Sequence, residues 1–556
     1  MVENAHRSST AVWMRLSRLT AWPASIPAAA WMVVPILVFS AMLRFADVSK
    51  RGLVYWDEGK FALEGVRLQS VLEQLCCGGA SQIAGKAVGT AKPSHALLIA
   101  LAYGALGVHD YSPVLLNATA SVLEVAVLYA LARHFFGSGT ALLAALFLGV
   151  SQYDVIYARS ALSESDANLV FFSGVLVWSR GWRHEPERRA WLRPDRLTYL
   201  AMAGTLMGLA FTINYRLLVY IAAIVGLDLM WSRRRGEWKT IRALSVWGGT
   251  LVLAPILWEV IGLLFQAHGT IIFRNEISRQ PTSYLQEVFY QLHGGRQSVF
   301  RFSPLIYVEW YVVRQGWLML ILVLIGAGIA AARRTLPWMM ALIAIGLPYL
   351  VYVFAPIAVP RNLDAALPFS ALLAAGAVVS MVSQTRLVGL WRMVLLAGVI
   401  VIAGLGFSSS WNLVSERSGF ARAARYVQQH AGGRALANNE LMVFYLRGNG
   451  VRCTAPRLPR SLTRLAAAVR AGFDLVVIEG YSPRMSRHLR AYARVVARYR
   501  AVGPLDLEED PIASENGDPP TREATQRYVY VFRLDGSLLP PGQTAAAPTC
   551  SVDRLV

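Results

Sequence analysis

The stretch 26-IPAAAWMVVPILVFSAMLRFADVSKRGLVYWDEGKFA-62 decides how the chain is read. Residues 26–43 carry no charge, and about 20 apolar residues are enough for a helix to cross a bilayer. Shortly beyond them, the adjacent carboxylates Asp57 and Glu58 sit among Tyr55, Trp56 and Phe61. An apolar span that delivers paired acids to its far mouth is the unit from which the remaining reading extends.

The composition supports this. Of 556 residues, 55% are hydrophobic and 16% are charged, with a formal net charge of +20; an average soluble chain carries roughly 25% charged residues. A soluble nucleic-acid binder would be basic too, but would not gather its apolar residues into long uncharged runs. Aromatics at 11%, the lack of heptads and only four cysteines exclude disorder, coiled coil and a disulfide scaffold. An arginine- and alanine-rich chain also hints at a GC-rich bacterial genome.

Ten further apolar runs follow, near 112–132, 139–156, 165–180, 197–213, 217–231, 243–266, 315–332, 337–355, 364–384 and 393–411, so the sequence predicts about eleven spans. The first lacks a convincing cleavage site and is read as a span rather than a signal peptide. With the N-terminus inside, nineteen Lys and Arg fall in the inner segments, while the short outer loops carry one each, Arg159, Arg216 and Arg361. The positive-inside rule thus predicts a cytoplasmic N-terminal segment (1–25), a transmembrane domain (26–411) with large outer loops at 44–111 and 267–314, and an outer C-terminus. Residues 412–534 alternate helix-like stretches (418–431, 461–472, 484–498) with short β-like runs (474–478, 528–532), predicting a soluble α/β domain on the outer face; 535–556 read as a flexible tail. All four cysteines fall in outer segments, where Cys453 and Cys550 are candidates for a bridge and free thiols are the alternative. Adjacent Cys76 and Cys77 would close only a strained ring, and no Cys/His spacing suggests zinc.

The inner arginines are explained by topology, so chemistry is sought in the outer segments. Asp57 and Glu58 open an amphipathic stretch, where either a helix cap or a catalytic role is open to them. Lys92 stands directly before Pro93, a helix-starting residue, and a cation at a helix N-terminus is unfavourable unless an anion sits there. Glu164 and Asp166 sit at the mouth of a span, where carboxylates need a partner, and Arg159 is the natural one. Arg361 places another cation at the outer surface.

At these residues the sequence resembles the GT-C glycosyltransferases, in the branch of the protein O-mannosyltransferases and lipid A aminoarabinose transferases. YWDEGKFALEGVRL (55–68) resembles that family's Asp-Glu motif, KPSHALLIALAYGAL (92–106) its Lys-Pro-Pro amphipathic helix, and YARSALSESDANLVFF (157–172) its Arg-x-x-Leu-x-Asp segment. GLAFTINYRLLVYI (208–221) is similar to its fifth and sixth spans, and PRNLDAALPFSALLAA (360–375) to its late Arg-Tyr span. There are departures: Ser94 replaces the second proline, Glu164 stands for the usual Asp with Asp166 two residues on, Asn214-Tyr215-Arg216 replaces Thr-Lys-Gly, and Asn362 replaces a tyrosine.

The resemblance implies an inverting transferase that moves a sugar from a polyprenyl-phosphate donor to a lipid, glycan or protein acceptor at the outer face of a bacterial inner membrane. It implies Asp57 as the base with Glu58 orienting it or the sugar, Lys92 and Arg361 on the donor phosphate, and Tyr55, Lys60, His95, Arg159, Glu164 and Asp166 along the cleft. With a phosphate acceptor no base is needed, and Asp57 would bind an amine or hydroxyl instead. Lysine and arginine take the phosphate charge, so no metal and no cofactor beyond the lipid-linked substrate are expected. The expected partners are this lipid, membrane lipids and the acceptor, with no nucleic acid. A polytopic transporter or a non-catalytic envelope-assembly protein is the alternative; a transporter would place its charged groups at mid-membrane.

Overall fold

The computed structural model describes residues 31–77, 91–182, 196–234, 240–267, 271–273, 281–292, 304–354, 359–384, 389–430, 434–437, 440–448, 453–455, 469, 472–479, 493–500, 502–503 and 528–534. The expected N-terminal segment 1–25, the helix at 461–472 apart from residues 469 and 472, Cys550 and the tail 535–556 lie outside these residues. Helix α1 (Val33–Phe45) leads through α2 (Val48–Arg51) into α3 (Trp56–Cys77) and the short apolar α4 (Pro93–Leu106), the helices of the segment expected to form the first outer loop. The bundle continues with α5 (Tyr111–Phe136), α6 (Ser138–Gly149), α7 (Gln152–Ala158), α8 (Glu164–Gly181), α9 (Arg196–Ile213), α10 (Leu218–Arg234), α11 (Thr240–Leu251) and α12 (Leu253–Ala267). Then come α13 (Tyr284–Leu292), α14 (Pro304–Gln315), α15 (Trp317–Arg333), α16 (Leu336–Val353), α17 (Leu367–Gln384) and α18 (Leu390–Asn412).

A helix lies at each of the eleven expected spans. By length and composition, seven among the described residues suffice to cross a membrane, or nine if each of two bent pairs is one span. Two fall short for identifiable reasons: α1 is described as helix only from Val33, and α8 carries Glu164, Asp166 and Arg180 within 18 residues. The bent pairs are α6–α7 at 60° and α14–α15 at 119°. Helices α12, α15 and α18 turn Leu257, Leu264, Leu324, Ile400 and Leu405 outward, whereas the span at Pro360–Ser383 is 83% buried. Apolar side chains on the outside and polar ones within is the pattern of a chain solvated by lipid.

Polar side chains inside the bundle serve broken backbone. At the α6–α7 bend, the fully buried Arg44 donates to Gly149 O at 2.8 Å and to Ser121 Oγ at 2.7 Å, and it pairs with Asp154. A cation there answers the exposed carbonyls and the negative end of α6. Arg159, also buried, donates to Leu43 O, Arg44 O and Ala46 O at 3.2, 3.2 and 2.8 Å, capping the end of α1 in the same way. Small residues allow close helix contact: a Cβ on Gly204 or Gly208 of α9 would stand 2.1 Å from Thr250 Oγ1 or 2.2 Å from Leu251 O of α11.

Beyond α18 lies a mixed α/β unit. Strand β1 (Arg417–Ser418) precedes α19 (Gly419–His430), β2 (Arg434–Ala437) and α20 (Glu440–Gly448), followed by β3 (Cys453–Ala455), β4 (Leu475–Glu479), β5 (Ala493–Arg500), β6 (Val502–Gly503) and β7 (Tyr528–Leu534). Five strands form a sheet in the order β3-β2-β4-β7-β5, parallel on the β3-β2-β4 side and antiparallel about β7, while β1 pairs with β6. The expected helix over 484–498 is corrected where it is described: 484–492 lie outside the described residues, and 493–500 form β5, paired along β7 with a bulge between Val495 and Ala497. Pairing with β7 overrides the helical preference of the Ala and Arg residues there.

This unit is docked onto the first loop through α3 and α20. A Cβ on Gly59 would lie 2.1 Å from Leu441 Cα and 2.3 Å from Leu441 N, so only glycine lets the two helices meet. Gly59→Ala must push the backbones apart, and is expected to destabilise the protein by about 1–3 kcal/mol. A lowered unfolding temperature in detergent checks this; an unchanged one shows that the two helices do not pack as described.

Candidate active site at one mouth of the bundle

The helix α3 starts where it does because Glu58 reaches back over its first turn. Glu58 Oε2 accepts Val54 N and Tyr55 N, both at 2.6 Å, while Oε1 accepts Ala161 N at 2.7 Å and faces Arg51 Nη1 at 3.4 Å. With both oxygens engaged and no exposed surface, Glu58 ties the first loop to the third and has no face to offer a substrate. Of the two expected roles, orienting the sugar finds no free face here, whereas its backbone bonds hold the start of the helix that carries Asp57, in the manner of a capping carboxylate.

Asp57 is different. Its side chain is 23% exposed and its Oδ2 stands 2.5 Å from Arg361 Nη1, itself 19% exposed. Burial would raise the Asp57 carboxyl, but Arg361 foremost, then Lys60 and Lys92, bring it down to about 2. Arg361 lies in the 3-10 turn Pro360–Ala366, which hydroxyls fasten: Tyr153 OH donates to Pro360 O at 2.6 Å, Tyr220 OH to Asn362 O at 3.0 Å, and Asn362 Nδ2 donates to Tyr307 OH at 3.0 Å. Asn362, where a tyrosine was expected, therefore supports the turn through its amide.

Lys92 heads α4 with Pro93 behind it. Its ammonium donates to Ser163 Oγ at 2.6 Å, lies 3.9 Å from Glu164 Oε1, and stands over the rings of Phe61 and Tyr215 at 5.1 and 5.8 Å. Burial pulls it down to about 7 against the opposing pull of Glu164, and Arg216 and Arg361 depress it further. The two cations and Asp57 thus share one electrostatic neighbourhood. Ser94, in place of the second proline, makes bonds no proline could: it pairs with Thr212 Oγ1 at 2.7 Å and accepts Trp258 Nε1 at 2.8 Å, anchoring α4 to α9 and α12.

The third loop supplies the floor. Glu164 Oε1 meets Lys92, Asn214 Nδ2 at 3.4 Å and Arg216 Nη1 at 3.4 Å, and Asp166 Oδ2 meets His95 Nδ1 at 2.7 Å. His95 Nε2 lies 3.2 Å from Ala161 O, and its ring meets Phe61 edge-on at 5.0 Å. Arg159, expected to pair with these acids in the cleft, points instead to the end of α1; the desolvated carbonyls there claim it. Glu164 and Asp166 so have separate partners, and Glu164 is the acid beside the cations. Tyr55 is partly buried near Arg51, which lies 5.9 Å from its ring, and Lys60 acts on Asp57 from the same helix. Sequence reasoning did not place Arg216, Asn214, Ser163 or Arg51 in this constellation. For Arg216 the signal was present, as one of three arginines in the short outer loops. Among the described residues, no three His, Cys, Asp or Glu side chains converge as a metal-binding group.

Comparison with known proteins follows this geometry. The family described as dolichyl-phosphate-mannose-protein mannosyltransferase matches residues 90–260, the segment from Lys92 through Arg216 to α12. Among solved structures, ArnT from Cupriavidus metallidurans in the apo state is similar at TM-score 0.61 and 17% identity, covering 93% of this chain and 100% of that one. The same protein bound to undecaprenyl phosphate gives 0.60 with the same coverage. The Archaeoglobus fulgidus oligosaccharyltransferase is similar at 0.54 and 12% identity, over 81% of this chain and 69% of that one. No curated protein matches. The chain is therefore a membrane protein of the GT-C glycosyltransferase fold, similar to the protein mannosyltransferases and to ArnT.

Proposed function

We propose that the chain is an inverting glycosyltransferase that takes a sugar from a polyprenyl-phosphate donor and passes it to a lipid, glycan or protein acceptor at the outer face of the cytoplasmic membrane. In this reading the N-terminus is cytoplasmic, eleven spans cross the membrane and the α/β unit is extracytoplasmic. The observation that carries it is the partly exposed Asp57–Arg361 pair beside the buried Lys92: one carboxylate and two cations at a single mouth. The family match over residues 90–260 and the fold shared with a protein solved with undecaprenyl phosphate support it.

The chemistry follows from these groups. An acceptor hydroxyl attacks the anomeric carbon and gives its proton to Asp57, while the bond from that carbon to the phosphate oxygen breaks and its electrons leave with the lipid phosphate. Arg361 and Lys92 hold the charge that develops there. In-line displacement inverts the anomeric centre, and two cations on the phosphate leave no step that requires a metal. While Arg361 holds it, Asp57 at about 2 is a poor base; a donor phosphate that draws the guanidinium away releases the carboxylate as the substrate arrives. His95, Glu164 and Asp166 line and orient the donor side, with Tyr55 just before the Asp57 helix and Lys60 on it.

Purified protein supplied with polyprenyl-phosphate sugars tests the reading. Asp57→Asn is expected to cut transfer by about 100-fold or more while retaining donor binding; full transfer by this variant removes Asp57 as the base. Failure of the wild type across a panel of lipid-linked sugars and acceptors would sink the transferase reading itself.

The resting Lys92 amine, half neutral near pH 7, makes a second prediction. A phosphodiester bound beside it raises its pKa, so binding takes up a proton when the pH lies above 7. Donor affinity should therefore weaken as pH rises from about 7 towards 9 and level off below about 6, where the amine is already charged. Titration calorimetry in buffers of different ionisation enthalpy reads the proton directly, and Lys92→Gln should abolish it. Equal proton uptake in wild type and variant removes Lys92 from the phosphate.

A further inference from the structure

A cavity of about 810 Å³ opens between α2, α3, the turn before α5, and the α/β unit. It lies on the other side of α3 from the Asp57 mouth. Leu63, Val66 and Arg67 turn towards it, whereas Phe61 turns to Lys92. Seven Lys and Arg side chains line it against one carboxylate, Asp110, whose Oδ2 already accepts the Tyr445 hydroxyl at 3.0 Å. Three of the cations are answered locally: Lys50 and Arg417 by Asp47, each at 2.9 Å, and Arg51 by Glu58 and Glu416.

That leaves Arg67 on α3, Arg422 and Arg425 on α19, and Arg447 on α20, which face the cavity without a carboxylate partner among the described residues. Burial first, and then the like charge of Arg67, hold the Arg447 guanidinium below its ordinary range. All four residues are solvent-exposed, Arg67 repels Arg447, and together they leave the cavity with a surplus of positive charge that an anion would neutralise. Guanidinium is also the group whose fork matches a phosphate with two parallel hydrogen bonds. The volume falls within the range of small-ligand sites, and Leu63, Val66, Val108 and Phe444 give it an apolar side.

We propose that this cavity is a second site, separate from the Asp57 mouth, which binds a ligand carrying more than one phosphate: the four arginines hold the phosphates and the apolar wall covers the rest. The ligand is either the phosphorylated headgroup of a lipid or a soluble phosphorylated molecule. The inference goes beyond the transfer reading and does not depend on it, because the site is read out by binding alone.

The test titrates the purified full chain in detergent with inorganic pyrophosphate, and in a separate arm with dihexanoyl phosphatidylinositol 4-phosphate, a soluble lipid whose headgroup carries two phosphates. Pyrophosphate could also meet Lys92 and Arg361, so Lys92→Ala is titrated in parallel; the arginine site is intact in that variant. Saturable binding is expected in at least one arm. It should weaken by about tenfold per guanidinium removed in Arg422→Gln and Arg425→Gln, the size of one lost charge-assisted contact, and persist in Lys92→Ala. Arg422 and Arg425 are exposed, so both variants should fold, and an unchanged unfolding temperature verifies it. Arg425→Lys should keep most of the affinity that Arg425→Gln loses. Binding in the headgroup arm alone assigns a lipid ligand, and in the pyrophosphate arm alone a soluble one. No saturable binding in either arm, affinity unchanged in both glutamine variants, or loss in Lys92→Ala equal to theirs each overturns the proposal.

Discussion

Much of this structure hangs on one buried carboxylate. Glu58 takes two backbone N–H groups from its own loop, a third from Ala161 and the guanidinium of Arg51, which in turn touches Glu416 ahead of the α/β unit. First loop, third loop and C-terminal unit are therefore joined at one point, and Asp57 stands one residue away from it. A buried charge of this kind is tolerable only when every oxygen is engaged, and the engagement makes its position specific. The partly exposed pair Asp57–Arg361 is built against that fixed reference.

The same logic separates the cations. Arg44 and Arg159 lie inside the bundle because helix ends and a bend leave carbonyls without partners there. Arg361 and Lys92 lie at the mouth, where Asp57 and Glu164 balance them only in part. Arg44 and Arg159 are fully enclosed and reach backbone carbonyls, while Arg361 keeps part of its side chain exposed at the mouth. Both kinds contribute equally to the formal charge of +20, which is why that number by itself says so little.

This distinction also marks what the sequence could convey. The spans were legible because lipid demands long uncharged runs, and the helix at 57–75 because its polar residues recur with the turn; 95–106, expected to be amphipathic, is instead a short helix that is apolar beyond His95. The neighbourhood of Asp57, Lys92, Glu164 and Arg361 was legible too, since charged residues next to spans are costly unless they are used or paired. The roles of Glu58 and Arg159 were not. Nothing in the order of residues says that three carbonyls of α1 will be left for Arg159, or that Ala161 N will find Glu58; those partners come from distant segments and exist only after folding. The strand at 493–500 was hidden for a similar reason, because Ala-Arg-Val-Val-Ala-Arg-Tyr-Arg has no strict alternation until β7 supplies a bulged partner.

The sharp elbow between α14 and α15 has a mechanical meaning. At 119° the chain nearly doubles back, with α14 held between the bundle and its surroundings and Leu305 and Val313 facing outward. The inward side of that same helix carries Tyr307, which receives the amide of Asn362 next to Arg361 and donates its hydroxyl to Tyr352 O. A helix with apolar side chains turned outward on one side and bonded to the turn of Arg361 on the other ties whatever packs against its outward face to the position of the guanidinium that holds Asp57.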